Sequence, residues 1–116
     1  MIRQRTHKYN ATKTVVDGHT FDSKAEAHRY SELRILERAG VISDLELQPS
    51  FELMSSFKDA QKRAHRAITY VADFAYDEDG RRIVEDVKGM ETPEFRIKWK
   101  MAIRQYPHIE FRKVER

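Results

Sequence analysis

Apolar positions recur along this chain at two spacings, every second residue and every third or fourth, and the switches between them divide it into elements. Ile68 to Tyr76 is rich in aromatic and β-branched residues and reads as one strand; Arg82 to Lys88 reads as a second. Between them Asp79-Gly80 is a strong two-residue hairpin signal. With those two as the loop, Glu78 pairs with Arg81, and Asp73 falls opposite Asp86 on one face. Alternation adds Lys88 to that face. It also places Val71 and Ala75 on either side of Asp73, which makes the face at least half buried. A loop of three residues would bring Glu85 opposite Asp73 instead.

Elsewhere the spacing is helical. Ser23 is an N-cap with Glu26 as its capping-box partner; Tyr30, Leu33 and Leu36 mark the apolar side, and Gly40 follows Ala39 as a stop. Glu26 lies on nearly the same side as Tyr30 and Leu33, turned towards the sheet. A second helix opens at Thr92-Pro93, carries Phe95, Trp99 and Ile103 as a core stripe with Ile97, Met101 and Ala102 beside it, and ends at Pro107. Val15 to Phe21 gives two extended pieces around Asp17-Gly18. Ile42 to Leu53 gives a strand or two bent at Gln48-Pro49, and Ile109 to Arg112 a last strand. Lys58 to Arg66 has no apolar face and reads as a solvated basic loop. Residues 1–13 read as a flexible basic arm, and 14–116 as a single α+β domain with helices packed on a sheet.

The 116 residues suit one domain, and the absence of cysteine excludes disulfides and thiolate metal sites. No apolar run approaches the roughly 20 residues needed to cross a bilayer, and the basic N-terminus lacks the apolar stretch of a signal peptide. No Gly-rich phosphate loop points to an NTP-driven motor, and the five histidines show no metal-ligand spacing. Net charge is +3 and the pI about 9.2. The distribution is more telling than the sum. Bases gather at Arg3–Lys13, Lys58–Arg66 and Arg96–Arg104, and acids from Asp73 to Glu91. A basic surface around an acidic centre is what phosphodiester cleavage requires: cations for the backbone, carboxylates for a metal.

Opposed like charges cost stability unless solvent, a shared proton or a cation intervenes. Asp73, then Asp86-Val87-Lys88 on the adjacent strand, looks like a hard-metal site with an ammonium beside it. In this respect the chain resembles the PD-(D/E)XK nuclease superfamily. Asp73 matches the first acid, Asp86-Val87-Lys88 the acid-x-Lys, and Glu26 the acid of the first helix. Ala72 stands where the superfamily name has Pro. The runs Tyr9-Asn10-Ala11 to Asp17-Gly18, Phe21 to Glu26 and Glu85 to Gly89 are similar to a small phage-encoded group within it, and the likeness covers nearly the whole chain.

The resemblance implies a restriction-endonuclease-like core, an antiparallel meander plus a further strand in a mixed sheet flanked by helices. It implies a DNA endonuclease using Mg²⁺ or Mn²⁺ held by Asp73, Asp86 and Glu26, with Lys88 as the fourth catalytic residue. Such an enzyme would act in recombination, repair or processing, with branched DNA among its substrates, in the cytoplasm of a bacterial host. Gln48 and Glu85 are auxiliary candidates. Arg3, Arg5, Lys8, Lys62, Arg63 and Arg66 are expected to contact DNA phosphates. Two cuts in a duplex would require a homodimer of this one-site domain. A catalytically silent nucleic-acid or protein binding module on the same fold is the alternative.

Overall fold

The computed structural model describes residues 12–115. Strands β1 (Thr14–Val16) and β2 (His19–Phe21) form a hairpin whose turn residues Asp17 and Gly18 have φ of 53° and 79°. Ser23 then caps α1 (Lys24–Arg38), its Oγ accepting the Glu26 N–H at 3.1 Å. Ala39 closes the helix and Gly40 follows at φ 79°, the left-handed exit that glycine adopts without strain. Next come β3 (Ser43–Leu47), β4 (Ser50–Met54), β5 (Phe57–Lys58), β6 (Ala64–His65), β7 (Ile68–Val71), β8 (Phe74–Glu78) and β9 (Arg81–Lys88). Helix α2 (Pro93–Gln105) starts with Pro93 at its first position and Thr92 Oγ1 accepting the Phe95 N–H at 3.1 Å. Strand β10 (Ile109–Glu115) follows.

The fold is α+β. A four-stranded mixed sheet has the order β10-β9-β8-β3, with β3, β8 and β9 antiparallel and β10 parallel to β9. Alternation along the strands builds two cores. Phe74, Tyr76 and Ile83 pack with Phe21, Tyr30 and Leu33 on the α1 face, while Ala75 and Val84 pack with Tyr70, Phe95 and Ala102 on the α2 face. Leu33, Phe74 and Ile83 are 0 % exposed, and burial of such side chains stabilises by about 1.5–3 kcal/mol each.

Three expectations are corrected. The run Ile68–Tyr76 is two strands, interrupted at Ala72-Asp73. The cause lies on the neighbouring strand, where Gln48 takes φ 52° and Pro49 has no N–H to give the ladder. The pairs Leu47↔Phe74 and Ser50↔Val71 hold one register across the break, so both strands bend together. Backbone bonds from Gln48 N–H to Asp73 O (2.9 Å) and from Ala72 N–H to Pro49 O (3.0 Å) stitch the bend. The bend resets the alternation. Val71 is 53 % exposed and does not flank Asp73 in the core, whereas Tyr70 and Ala72 turn inward.

The basic segment Lys58–Arg66 is not a loop without order but the tip of a two-stranded ribbon, with Phe57 paired to His65 and Lys58 to Ala64. On α2, Ile97 and Ile103 are 61 % and 46 % exposed, and the side facing the core carries buried Phe95 and Ala102 with the partly buried Trp99. At 3.6 residues per turn Ile103 sits about 80° round the helix from Phe95, and Ala102 only about 20°.

Candidate active site

Asp79 and Gly80 both have positive φ, 51° and 76°, the requirement of a type I′ turn. The turn fixes the ladder from Glu78↔Arg81 to Phe74↔Glu85. Consecutive residues of β9 therefore point to opposite faces, and the two adjacent acids separate. Glu85 turns to the α1 face and is 0 % exposed. There Arg29 donates to it from Nε (2.8 Å) and Nη2 (2.6 Å), and the Tyr76 hydroxyl donates as well. This arrangement removes Glu85 from the candidate site.

Asp86, 3 % exposed, turns to the other face. Its Oδ2 accepts the Tyr70 hydroxyl, and its Oδ1 lies 3.3 Å from Lys88 Nζ. Lys88 Nζ also stands 4.3 Å from the centroid of the Phe95 ring, a cation–π contact that fixes the ammonium beside the acid. Asp73 sits in the bend. Its N–H donates to Glu85 O at 3.1 Å, and its Oδ2 accepts the Val87 N–H at 2.7 Å. Strand β8 pairs with β9, but β7 pairs with β4 and β9 runs on beside β10. The sheet thus opens into a fork between β7 and the end of β9, with Asp73 at its base. Through that fork Glu26, in the first turn of α1 and 7 % exposed, meets the acids of the other face.

The electrostatics reflect this crowding. Burial, then the charges of Asp86 and Glu26, push the Asp73 carboxyl up to about 8, against the Val87 N–H and Lys88. Burial raises Asp86 as well, with Tyr70 and Lys88 opposing. Glu26 is raised by burial and by the charges of Asp22 and Asp86, while the Asp22 N–H and a hydrogen bond shared with Asp73 act the other way. Asp73 and Asp86 share one ammonium, and Glu26 lies near enough to both acids to interact with them.

Residues 6–116 match the family described as Protein of unknown function (DUF1064). The chain belongs to that family. No curated protein matches it.

Hard carboxylate oxygens with surplus negative charge suit Mg²⁺ or Mn²⁺, so Asp73, Asp86 and Glu26 of this DUF1064 domain fit such an ion in charge and donor chemistry. Their rotamers serve other partners: one oxygen of Asp73 is on Val87 and one of Asp86 on Tyr70. Among the described residues no three His, Cys, Asp or Glu side chains stand at metal-ligand geometry. Beside the acids an open cleft of about 330 Å³ is lined by Tyr70, Asp86, Lys88, Thr92, Phe95 and Lys98.

Gln48 anchors the Asp73 carbonyl through its backbone, while the residue itself is exposed at the bend. Lys62, Arg63 and Arg66 lie on the ribbon and its neck, apart from the acids, and Arg3, Arg5 and Lys8 lie outside the described residues. Sequence reasoning missed Tyr70 as an Asp86 partner, because unbroken alternation turns it away from Asp73. It also missed Arg29, whose i, i+3 pairing with Glu32 reads as an ordinary helix-surface ion pair.

Proposed function

We propose that this protein is a Mg²⁺- or Mn²⁺-dependent DNA endonuclease of phage type, hydrolysing phosphodiester bonds in recombination, repair or DNA processing. The observation that carries the reading is the convergence of Asp73, Asp86 and Glu26 at the fork of the sheet, with Lys88 Nζ 3.3 Å from Asp86. A divalent ion held by those three acids would supply Lewis acidity and charge neutralisation at the phosphate. Lys88 would stabilise the negative charge that builds on a non-bridging phosphate oxygen. Tyr70 and Val87 would hold the two aspartates in place.

A second reading, a catalytically silent nucleic-acid binding module, draws on the carboxyl oxygens already bonded to Tyr70 and Val87. One experiment separates the two. Labelled duplex, single-stranded and four-way-junction DNA are incubated with the protein and Mg²⁺, Mn²⁺ or EDTA. Cleavage with either metal and none in EDTA is the expected result; binding to the same DNAs with no cleavage under any condition selects the silent module. A cut in both strands of one duplex would call for a homodimer, which sedimentation on DNA would reveal. No described helix is long and apolar enough to cross a membrane.

A further inference from the structure

The ribbon β5–β6 is built unlike the rest of the molecule. Every residue from Met54 to Ala67 is exposed except Asp59, which is half buried, and the two strands form a sheet of their own, separate from the central one. Its order is internal. Asp59 N–H donates to Arg63 O at 2.9 Å, and Lys62 N–H to Asp59 O at 2.8 Å. The Asp59 carboxylate accepts the Gln61 and Arg63 N–H groups on Oδ1 at 2.8 and 3.0 Å. On Oδ2 it takes Arg63 Nε at 3.3 Å and pairs with His65 Nε2 at 2.9 Å. Phe57 stacks on His65 with ring centroids 4.8 Å apart. One carboxylate thus organises a hairpin that buries no apolar core.

The charge of this tip is concentrated. Between Phe57 and Arg66 stand Lys58, Lys62, Arg63 and Arg66 against the single acid Asp59, a surplus as large as the net +3 of the whole chain. Asp59 faces inward to the hairpin's own backbone, which leaves the cations at the rim. An ordered, isolated, cationic two-stranded ribbon has the dimensions that the major groove of B-form DNA admits; the major groove of an A-form RNA helix is too deep and narrow for it. The position agrees. At about 3.3 Å per residue, the stretch from His65 to Asp73 spans at most about 26 Å, less than one turn of duplex, about 34 Å.

We infer that the β5–β6 ribbon is a DNA-reading arm that enters the major groove of a B-form duplex within one helical turn of the phosphate placed at the site of Asp73, Asp86 and Lys88. The inference rests on the nuclease reading for its substrate, and it replaces the expectation that these cations touch phosphates from a shapeless loop. Lys58, Lys62, Arg63 and Arg66 would follow the groove walls while Phe57 and His65, paired on one face of the ribbon, turn to the base edges.

The test exploits Asp59. Asp59→Ala dissolves the internal bonds of the ribbon yet makes the protein more positive by one charge, so electrostatics alone predicts tighter binding. Fluorescence anisotropy in EDTA with a DNA duplex and an RNA duplex of matched sequence reads both terms. The expected result is DNA-duplex binding weaker by on the order of tenfold and RNA-duplex binding not weakened. Lys62→Gly serves as the companion variant. Lys62 sits at φ 68°, where glycine fits better, so this change keeps the hairpin and removes one cation. It should lower the log–log salt slope on DNA by about 1.

Unchanged or tighter DNA binding by Asp59→Ala overturns the inference, as does an equal loss on both duplexes or a wild-type protein that binds no DNA duplex. The nuclease reading is scored separately. Cleavage by wild type with unaffected binding by Asp59→Ala sinks the arm alone; weakened binding with no cleavage in any metal sinks the nuclease alone.

Discussion

Arg29 on α1 grips Glu85 on β9 through two hydrogen bonds of 2.8 and 2.6 Å, one residue along the strand from the acid of the candidate site. The Glu85 side chain is 1 % exposed, and its hydrogen bonds come from this partner and from Tyr76. Arg29→Ala should destabilise the fold by about 3 kcal/mol, since an unpaired buried carboxylate is costlier than no ion pair at all. Thermal unfolding should report a fall of more than roughly 10 °C in Tm. The apolar replacement Arg29→Met, Glu85→Leu, Tyr76→Phe should recover most of it. A single Arg29→Ala that melts with wild type would show that Glu85 finds other partners.

Asp73→Asn and Asp86→Asn should each abolish cleavage while DNA binding is kept or tightened, because a ligand is lost and repulsion of phosphate is relieved. Wild-type turnover by either variant at saturating Mg²⁺ would refute the site.

The same acids set a pH dependence. Asp73 is raised from 3.8 to about 8 in the folded state, so between those values the folded protein holds a proton that the unfolded chain has released. The stability this proton confers is complete below about pH 4 and is lost as pH rises towards 8. In EDTA the stability advantage of Asp73→Asn over wild type should therefore widen from pH 4 to pH 8. Denaturant melts across that range measure it, and a constant difference would mean that Asp73 ionises as an ordinary surface acid.

Lys88→Ala should cut turnover by on the order of 10²-fold, the cost of deleting one transition-state stabiliser. Mn²⁺ affinity by calorimetry should not fall, because an ammonium is no ligand. Weaker Mn²⁺ binding with unchanged turnover would reassign Lys88 to holding Asp86 in place.

Tyr70→Phe tests the residue that alternation concealed. Loss of the hydroxyl on Asp86 Oδ2 should weaken Mn²⁺ binding by about tenfold, the usual effect of removing a hydrogen bond behind a metal ligand. An unaltered Mn²⁺ titration would leave Tyr70 as a core residue only.

The features read correctly from the sequence are those fixed by neighbours in the chain. Ser23 and Thr92 declare their helices by local capping, and Asp79-Gly80 declares its turn by two positive φ angles. From that turn the placement of Asp86 and Lys88 on one face, with Glu85 on the other, follows. The bend at Asp73 was hidden because its cause, Pro49, lies on another strand. The ribbon was hidden for a different reason. Its left-handed position holds Lys62, where a glycine would have signalled a turn, and its order comes from Asp59 reaching residues two to six further on. Glu26 carried two readings in the sequence: its backbone N–H does meet the Ser23 hydroxyl, while its carboxyl takes the Asp22 N–H and lies against Asp73.

The parallel pairing of β10 with β9 bears on how the chain is made. Lys113 lies beside Asp86 and Glu115 beside Lys88, so the strand that carries the acid and the ammonium is flanked on both sides only once residues 109–115 are in place. While the chain is being synthesised, a hairpin of β8 and β9 can form early, but its outer edge stays open to any other extended chain until β10 arrives across α2. A chain ending before Ile109 would leave that edge of β9 unpaired and prone to aggregation. The open edge of β9 is thus covered in one late step, when residues 109–115 pair along it.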